Sequence, residues 1–173
     1  MANNEKRVRI PEYKVENARI MFRNFQGKKT DYNEEGNRNF VLFVPEEDVE
    51  SLRSYGWNVK RLKPREDNPE GQAYLTVKVK YGPLPPIAVL ITSRGKTRLD
   101  EDTIGQLDWA RIKSVDLTVR PYQYPPSNIR PEGGVSAYLK NIYVTIQEDA
   151  LEEKYADIPW NDEPMREELP FDE

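Results

Sequence analysis

The sequence predicts a mainly β fold, a small, partly open five-stranded barrel with one or two short helices. Three observations carry that expectation. Apolar and polar residues alternate at period two through most of the body, and the connections between these stretches are rich in proline. Only one segment carries both a start and a stop signal for a helix.

In chain order, "NARIMFRNF" sets Ala18, Ile20 and Phe22 on one side and Arg19, Met21, Arg23 and Phe25 on the other, so the first set is expected inside. "NFVLFV", residues 39–44, is apolar on both faces, as a central strand covered twice would be. "PEEDVESLRSYG" predicts a short helix. Pro45 suits its first turn, Glu46, Glu47 and Asp48 sit at its positive end, Val49 and Leu52 form a narrow apolar stripe, and Gly56 stops it. "AYLTVKVKY" alternates strictly, with Ala73, Leu75, Val77, Val79 and Tyr81 against Tyr74, Thr76, Lys78 and Lys80. "IAVLIT", residues 87–92, is again apolar on both faces and leads into a basic stretch around Gly95, a candidate hairpin tip. "DEDTIGQLDWA" holds a further turn or two, with Asp102 and Thr103 as caps. "RIKSVDLTVRPYQY" places Val115, Leu117 and Val119 inside and Ser114, Asp116, Thr118, Arg120 and Tyr122 outside.

The last strand slips in phase. In "GVSAYLKNIYVTIQ" the apolar set runs Val135, Ala137, Leu139, then resumes at Ile142, Val144, Ile146. One extra residue near Lys140–Asn141 restores the pattern, which is how a β-bulge looks in sequence; local noise in a single strand looks the same. Bulged strands bend, and small barrels need bent strands. With Pro-rich connections such as "YGPLPP" and "YQYPPSNIRPEGG", and no internal repeat, the pattern favours a barrel of the OB type over a sandwich.

Composition narrows the chemistry. The 173 residues include no Cys and no His, so disulfides, cysteine-type zinc sites, imidazole bases and thiol nucleophiles are excluded. The longest apolar runs, Phe40 to Val44 and Ile87 to Ile91, are far too short for a bilayer, and "MANNEKRVRIPEY" lacks the apolar stretch of a secretion signal. No membrane association and a cytoplasmic location are therefore expected. No metal or other cofactor is expected.

The net charge of −4 hides an asymmetry, because residues 148–173 hold 11 of the 30 acids and 2 of the 26 bases. That end carries −9 and the rest +5. The split points to a folded domain over residues 1–150 and an acidic tail over 151–173, and a basic body is compatible with nucleic-acid binding.

The outward faces interleave cations with rings: Arg19, Arg23 and Phe25; Trp57 and Lys60; Tyr74, Lys78 and Lys80; Arg120, Tyr122 and Tyr124; Tyr138, Lys140 and Tyr143. Single-stranded nucleic acid needs this pairing, since cations neutralise phosphates and flat rings stack on unpaired bases, each stack worth about 1–3 kcal/mol. Stacking ignores sequence, so such a face binds strands without reading them. Rings also pack in strands for stability, and exposed Lys discourages edge pairing, so each ring taken alone has a structural reading too. Arg94, Lys96 and Arg98 around Gly95 would make a basic finger able to follow a phosphate backbone, or simply a solvated turn. Asp100, Glu101, Asp102, Asp108 and Asp116 raise the possibility of a two-metal nuclease. That chemistry wants acids converging from different strands, whereas most of these share one loop, and capping accounts for Asp102 more simply.

The tail repeats a plan of acid, branched aliphatic, proline and aromatic: Asp157-Ile158-Pro159-Trp160, then Glu168-Leu169-Pro170-Phe171. This resembles bacterial single-stranded-DNA-binding proteins, an OB domain followed by an acidic tail ending in Asp-Ile-Pro-Phe, and several phage replication proteins of the same scheme. "DWARIKSVDLTVRPYQY" with "GVSAYLKNIYVTIQ" is similar to phage-encoded members across most of the chain. The resemblance implies that the proline–aromatic tip docks into pockets of replication or recombination proteins, and that the tail's charge competes for the basic face. The chain departs from the bacterial pattern in one respect, since Asp172 and Glu173 follow Phe171 and no free carboxylate sits on the ring-bearing residue. Trp160 can equally pack back on the barrel. The expected function is sequence-independent binding and protection of single-stranded DNA in replication or recombination, without enzymatic activity. The rivals are a protein–protein or virion assembly module and the carboxylate nuclease.

Overall fold

A computed structural model of the chain describes residues 9–159. Nine strands pair within a single sheet: β1 (Tyr13–Val15), β2 (Ile20–Asn24), β3 (Arg38–Phe43), β4 (Lys60–Arg61), β5 (Ala73–Val79), β6 (Ile87–Thr92), β7 (Gly95–Leu99), β8 (Ile112–Tyr124) and β9 (Gly134–Ile146). Helix α1 spans Glu46–Ser54, a 3-10 turn spans Ile104–Asp108, and α2 spans Ala150–Lys154.

The five strands β2, β3, β5, β9 and β8 follow one another through the sheet and form the wall of a partly open barrel of the OB type, as predicted. Antiparallel β2–β3–β5 meets β9 in parallel, and β9 runs antiparallel to β8 along its whole length. Between β8 and the approach to β2 lies the seam, where the Ala18 N–H donates to the Val115 carbonyl at 2.7 Å. The strands β1, β4, β6 and β7 extend this wall.

Period-two patterning explains the core. Phe40, Leu42 and Val44 from β3 and its end, Leu75 and Val77 from β5, Val115, Leu117 and Val119 from β8, and Leu139, Ile142 and Val144 from β9 are all buried. Each such side chain contributes about 1.5–3 kcal/mol when removed from water. Helix α1 turns Val49 and Leu52 onto this core, and its first turn is tied down by Tyr13, whose hydroxyl donates to Asp48 at 2.7 Å. Burial, then the Asp48 carboxylate, push the Tyr13 pKa up.

The bulge in the last strand is present. Thr118 pairs with Asn141 and Val119 with Leu139, so Lys140 is the extra residue. There β9 also changes parallel partner, from β5 at Ala137–Tyr138 to β6 at Asn141–Thr145. The bend thus lets one strand serve two neighbours.

Three sequence expectations need correction. First, β2 reverses phase partway: Phe22 is 67% exposed and Phe25 is fully buried, stacked on Phe40 with ring centroids 5.0 Å apart. A register shift lies between Met21 and Asn24, and Phe22 itself has φ of 51°. One residue in the left-handed region swaps the faces of everything after it. Second, Trp57 is 3% exposed, set edge-on to Tyr13, and bridges to Val135. Third, neither Asp102 nor Thr103 caps the 3-10 turn through its side chain; Asp100 instead orders the turn that leads into it, its Oδ1 accepting from the Asp102 and Thr103 amides at 2.9 Å each. Of the two doubly apolar stretches, β3 is covered on its inner face, while Val41 and Phe43 on the outer face are half-buried.

Candidate nucleic-acid interface

The outer face of β5 is the centre of the candidate site. Tyr74, Thr76 and Lys78 point away from the buried Leu75 and Val77. Register places Tyr74 opposite both Lys60 of β4 and Phe43 of β3, and Lys78 beside Tyr138 of β9. Lys60, Thr76 and Lys78 line one side of a groove of about 400 Å³, with Ser136, Tyr124 and Arg130 on the other.

Tyr124 is held in a defined pose. Arg130, from the β8–β9 loop, donates to its hydroxyl at 2.7 Å and lies 5.8 Å from the ring centroid. The ring rests against the backbone of its register partner, Gly134, where a Cβ would stand 2.5 Å from the Tyr124 Cζ. Any larger residue there would push the ring off the strand. The groove wall is therefore a ring and a cation already arranged before any ligand arrives, which lowers the entropic cost of binding.

A second cluster lies further along the same face. Tyr122 and Tyr138 meet edge to face at 5.8 Å, and Lys80 Nζ lies 5.4 Å from the Tyr138 ring centroid. Tyr122 is 56% exposed. Two rings and an ammonium on neighbouring strands suit alternate base and phosphate contacts.

Other residues expected in the site have other work. Phe25 and Trp57 are core residues and present no ring face to a ligand. Arg23 donates through Nη1 to the Leu107 and Ala110 carbonyls at 2.8 Å each, fastening the 3-10 turn to β2. Lys140 is paired with Glu12 at 2.8 Å, and Arg120 donates to the Leu84 carbonyl at 3.3 Å. Arg19 is exposed and lies over Phe43, 5.4 Å from its centroid, on the seam side of β3. Tyr143 sits beyond the bulge, where β9 pairs with β6. Arg94, in the two-residue connection, and Lys96 and Arg98 on β7 form the expected basic hairpin, joined to that same far half of β9 through β6. The Ser93 amide at its tip donates to Glu148 at 2.7 Å, and this serine lowers the Glu148 pKa.

Three of the five carboxylates weighed for metal chemistry hold the backbone instead. Asp100 accepts from the Asp102 and Thr103 amides ahead of the 3-10 turn, Asp108 accepts from the Phe25 and Gln26 amides, and Asp116 accepts from the Asn17 amide. The Thr103 hydroxyl, followed by backbone amides, holds Asp100 below the usual carboxylate pKa. Among the described residues of the tail, Asp157, Ile158 and Pro159 are exposed. Trp160, Glu168, Leu169, Pro170 and Phe171 lie outside the described residues.

Sequence reading missed Arg130, Phe43 and Trp109 as candidate site residues, and it turned Phe22 inward. Arg130 sits in a Pro-rich loop with no periodicity, Phe43 within a doubly apolar run, and Phe22 on the wrong side of the bulge. Trp109, in "LDWA", was absorbed into a helical turn, yet its ring is 74% exposed.

A family model described as "Putative phage ssDNA-binding domain" matches residues 2–170. Two solved structures share the fold: the C-terminally truncated single-stranded DNA-binding protein from bacteriophage Enc34, and that protein in complex with ssDNA. Each is 12% identical with a TM-score of 0.51, and the match covers 80% of this chain and 87% and 88% of theirs. No curated protein sequence matches the chain.

Proposed function

The chain belongs to the phage single-stranded-DNA-binding domain family, and on that premise we propose that its β5-centred outer face holds unpaired DNA without regard to sequence, protecting it during replication or recombination. The observation that carries the reading is the juxtaposition of Lys60, Lys78, Tyr124 and Arg130 around one open groove, with Lys80, Tyr122 and Tyr138 continuing it. Cations at this spacing meet phosphates, and rings between them accept bases. The Enc34 protein of the same fold has been solved with ssDNA bound, which supports the same class of ligand here.

The role is one of binding and involves no bond making, a reading supported by the family and by the structural duties of Asp100, Asp108 and Asp116. The acidic tail recruits replication or recombination proteins through Ile158-Pro159-Trp160 and Leu169-Pro170-Phe171. Proline limits the backbone freedom lost on docking, the ring fills an apolar pocket, and flanking acids meet a basic rim.

A salt-titrated binding curve with fluorescent oligo-dT and duplex DNA tests this directly. Single strands should bind more tightly than duplex. Lys78→Ala with Lys80→Ala should lower the slope of log affinity against log salt by about 1.4, since each phosphate contact to a single strand contributes about 0.7. Equal binding of duplex, or an unchanged slope, would remove this face from the site.

A further inference from the structure

The seam between β2 and β8 is a second groove, of about 650 Å³, whose walls include Arg19, Phe43, Trp109, Arg111 and Lys113. Its most telling member is Trp109. The largest side chain in the repertoire is left in water at considerable hydrophobic cost, and its backbone is nevertheless fixed on every side. Leu107 before it is fully buried, and Arg23 grips the carbonyls of Leu107 and Ala110. Asp108, the residue directly before it, accepts the Phe25 amide at 2.6 Å and the Gln26 amide at 3.2 Å. Lys28 Nζ stands 4.5 Å from the indole centroid and covers one ring face. An exposed ring on an anchored backbone, with a cation on one face, is a prepared stacking platform.

The groove's charge says what stacks there. Arg19, Arg111 and Lys113 are exposed, while the neighbouring carboxylates Asp108 and Asp116 are committed to backbone amides, as is Glu148, whose charge also faces Lys113. Nor is the seam isolated from the first groove. Phe43, on its wall, faces Tyr74 across the β3–β5 ladder, and Tyr74 faces Lys60 of the first groove. Directly opposed residues on one sheet face are about 5 Å apart, so Phe43, Tyr74 and Lys60 form a row of neighbours on the face between the two grooves.

Resting on the proposed function, we infer that the seam is a second contact region for the same bound strand, in which an unpaired base stacks on Trp109 and Arg111 and Lys113 take flanking phosphates. The strand passes from the β5 groove across Tyr74 and Phe43 into the seam. Arg23 and Asp108 are positioning residues for the Trp109 ring and do not touch DNA.

Oligomer length separates the two regions. An oligo-dT of about 8 nucleotides falls within the range served by one OB surface, about 4–16, and one of about 30 nucleotides can reach both grooves. Trp109→Ala should leave the affinity for the short oligomer unchanged and weaken the long one by about five- to 150-fold, the worth of one stacked base. Trp109→Phe should recover most of that loss. Arg111→Ala with Lys113→Ala should lower the salt slope for the long oligomer alone by about 1.4. Wild-type affinity for both lengths in all three variants, or equal losses at both lengths, would overturn the second region while leaving the β5 site standing. A wild-type chain that binds neither oligomer would overturn the function itself, and this inference with it.

Discussion

Gly134→Ala is the sharpest probe of the first groove, because it adds one methyl group and removes nothing. The new Cβ would stand 2.5 Å from Tyr124 Cζ, far inside van der Waals contact, so the ring must swing off the strand. Gly134 is not among the glycines at positive φ, so alanine introduces no backbone strain there. The displaced ring loses the 2.7 Å hydrogen bond from Arg130, an exposed interaction, so stability should fall by no more than about 1 kcal/mol. Affinity should fall further. Removing one base stack costs about 1–3 kcal/mol, which is about five- to 150-fold in Kd. Fluorescence anisotropy with labelled oligo-dT would compare Gly134→Ala, Tyr124→Ala and the double variant, beside melting curves for each. If both substitutions act through the same ring, the three affinities should agree and the cycle should be strongly non-additive. Wild-type affinity in Gly134→Ala beside weak binding in Tyr124→Ala would refute the reasoning, as would a double variant weaker than either single one.

Tyr122→Ala should weaken oligo-dT binding with little change in Tm, since the ring is largely exposed; a collapse in Tm with binding per folded molecule intact would make it a structural residue instead. Deleting residues 161–173 moves the net charge from −4 to +1 and should tighten single-strand binding, most visibly at low salt, if the tail competes for the basic face. Phe171→Ala keeps every charge, so DNA affinity should hold while pull-down of a replication partner is lost. Glu148 and Asp100 have lowered pKa values, so the stability they lend is complete above the ordinary carboxylate range, about pH 4, and is lost as pH falls through their folded values. The protection of the Ser93 amide from hydrogen exchange, taken relative to the intrinsic rate at each pH, should fall over that acid limb in the wild type and already be low at neutral pH in Glu148→Ala.

The strands β5, β8 and β9 were legible because each keeps one face in the core, so burial imprints a period of two on the chain. Even the bulge at Lys140 was readable, since the apolar pattern resumes on both sides of it. The cation–ring interleaving and the acidic end are equally local properties of the sequence. What tertiary structure alone decided was which of those groups are available. The bulge in β2 is followed by too few residues to re-establish a period, so nothing in "IMFRNF" announced that Phe22 and Phe25 exchange faces. Arg23, Lys140 and Trp57 are engaged by Leu107 and Ala110, by Glu12, and by Tyr13 and Val135, partners between 44 and 128 residues away. Periodicity records how a residue faces its own strand. It holds no record of a distant carbonyl or carboxylate that folding brings to its side chain, and those distant partners determine which cations and rings remain for DNA.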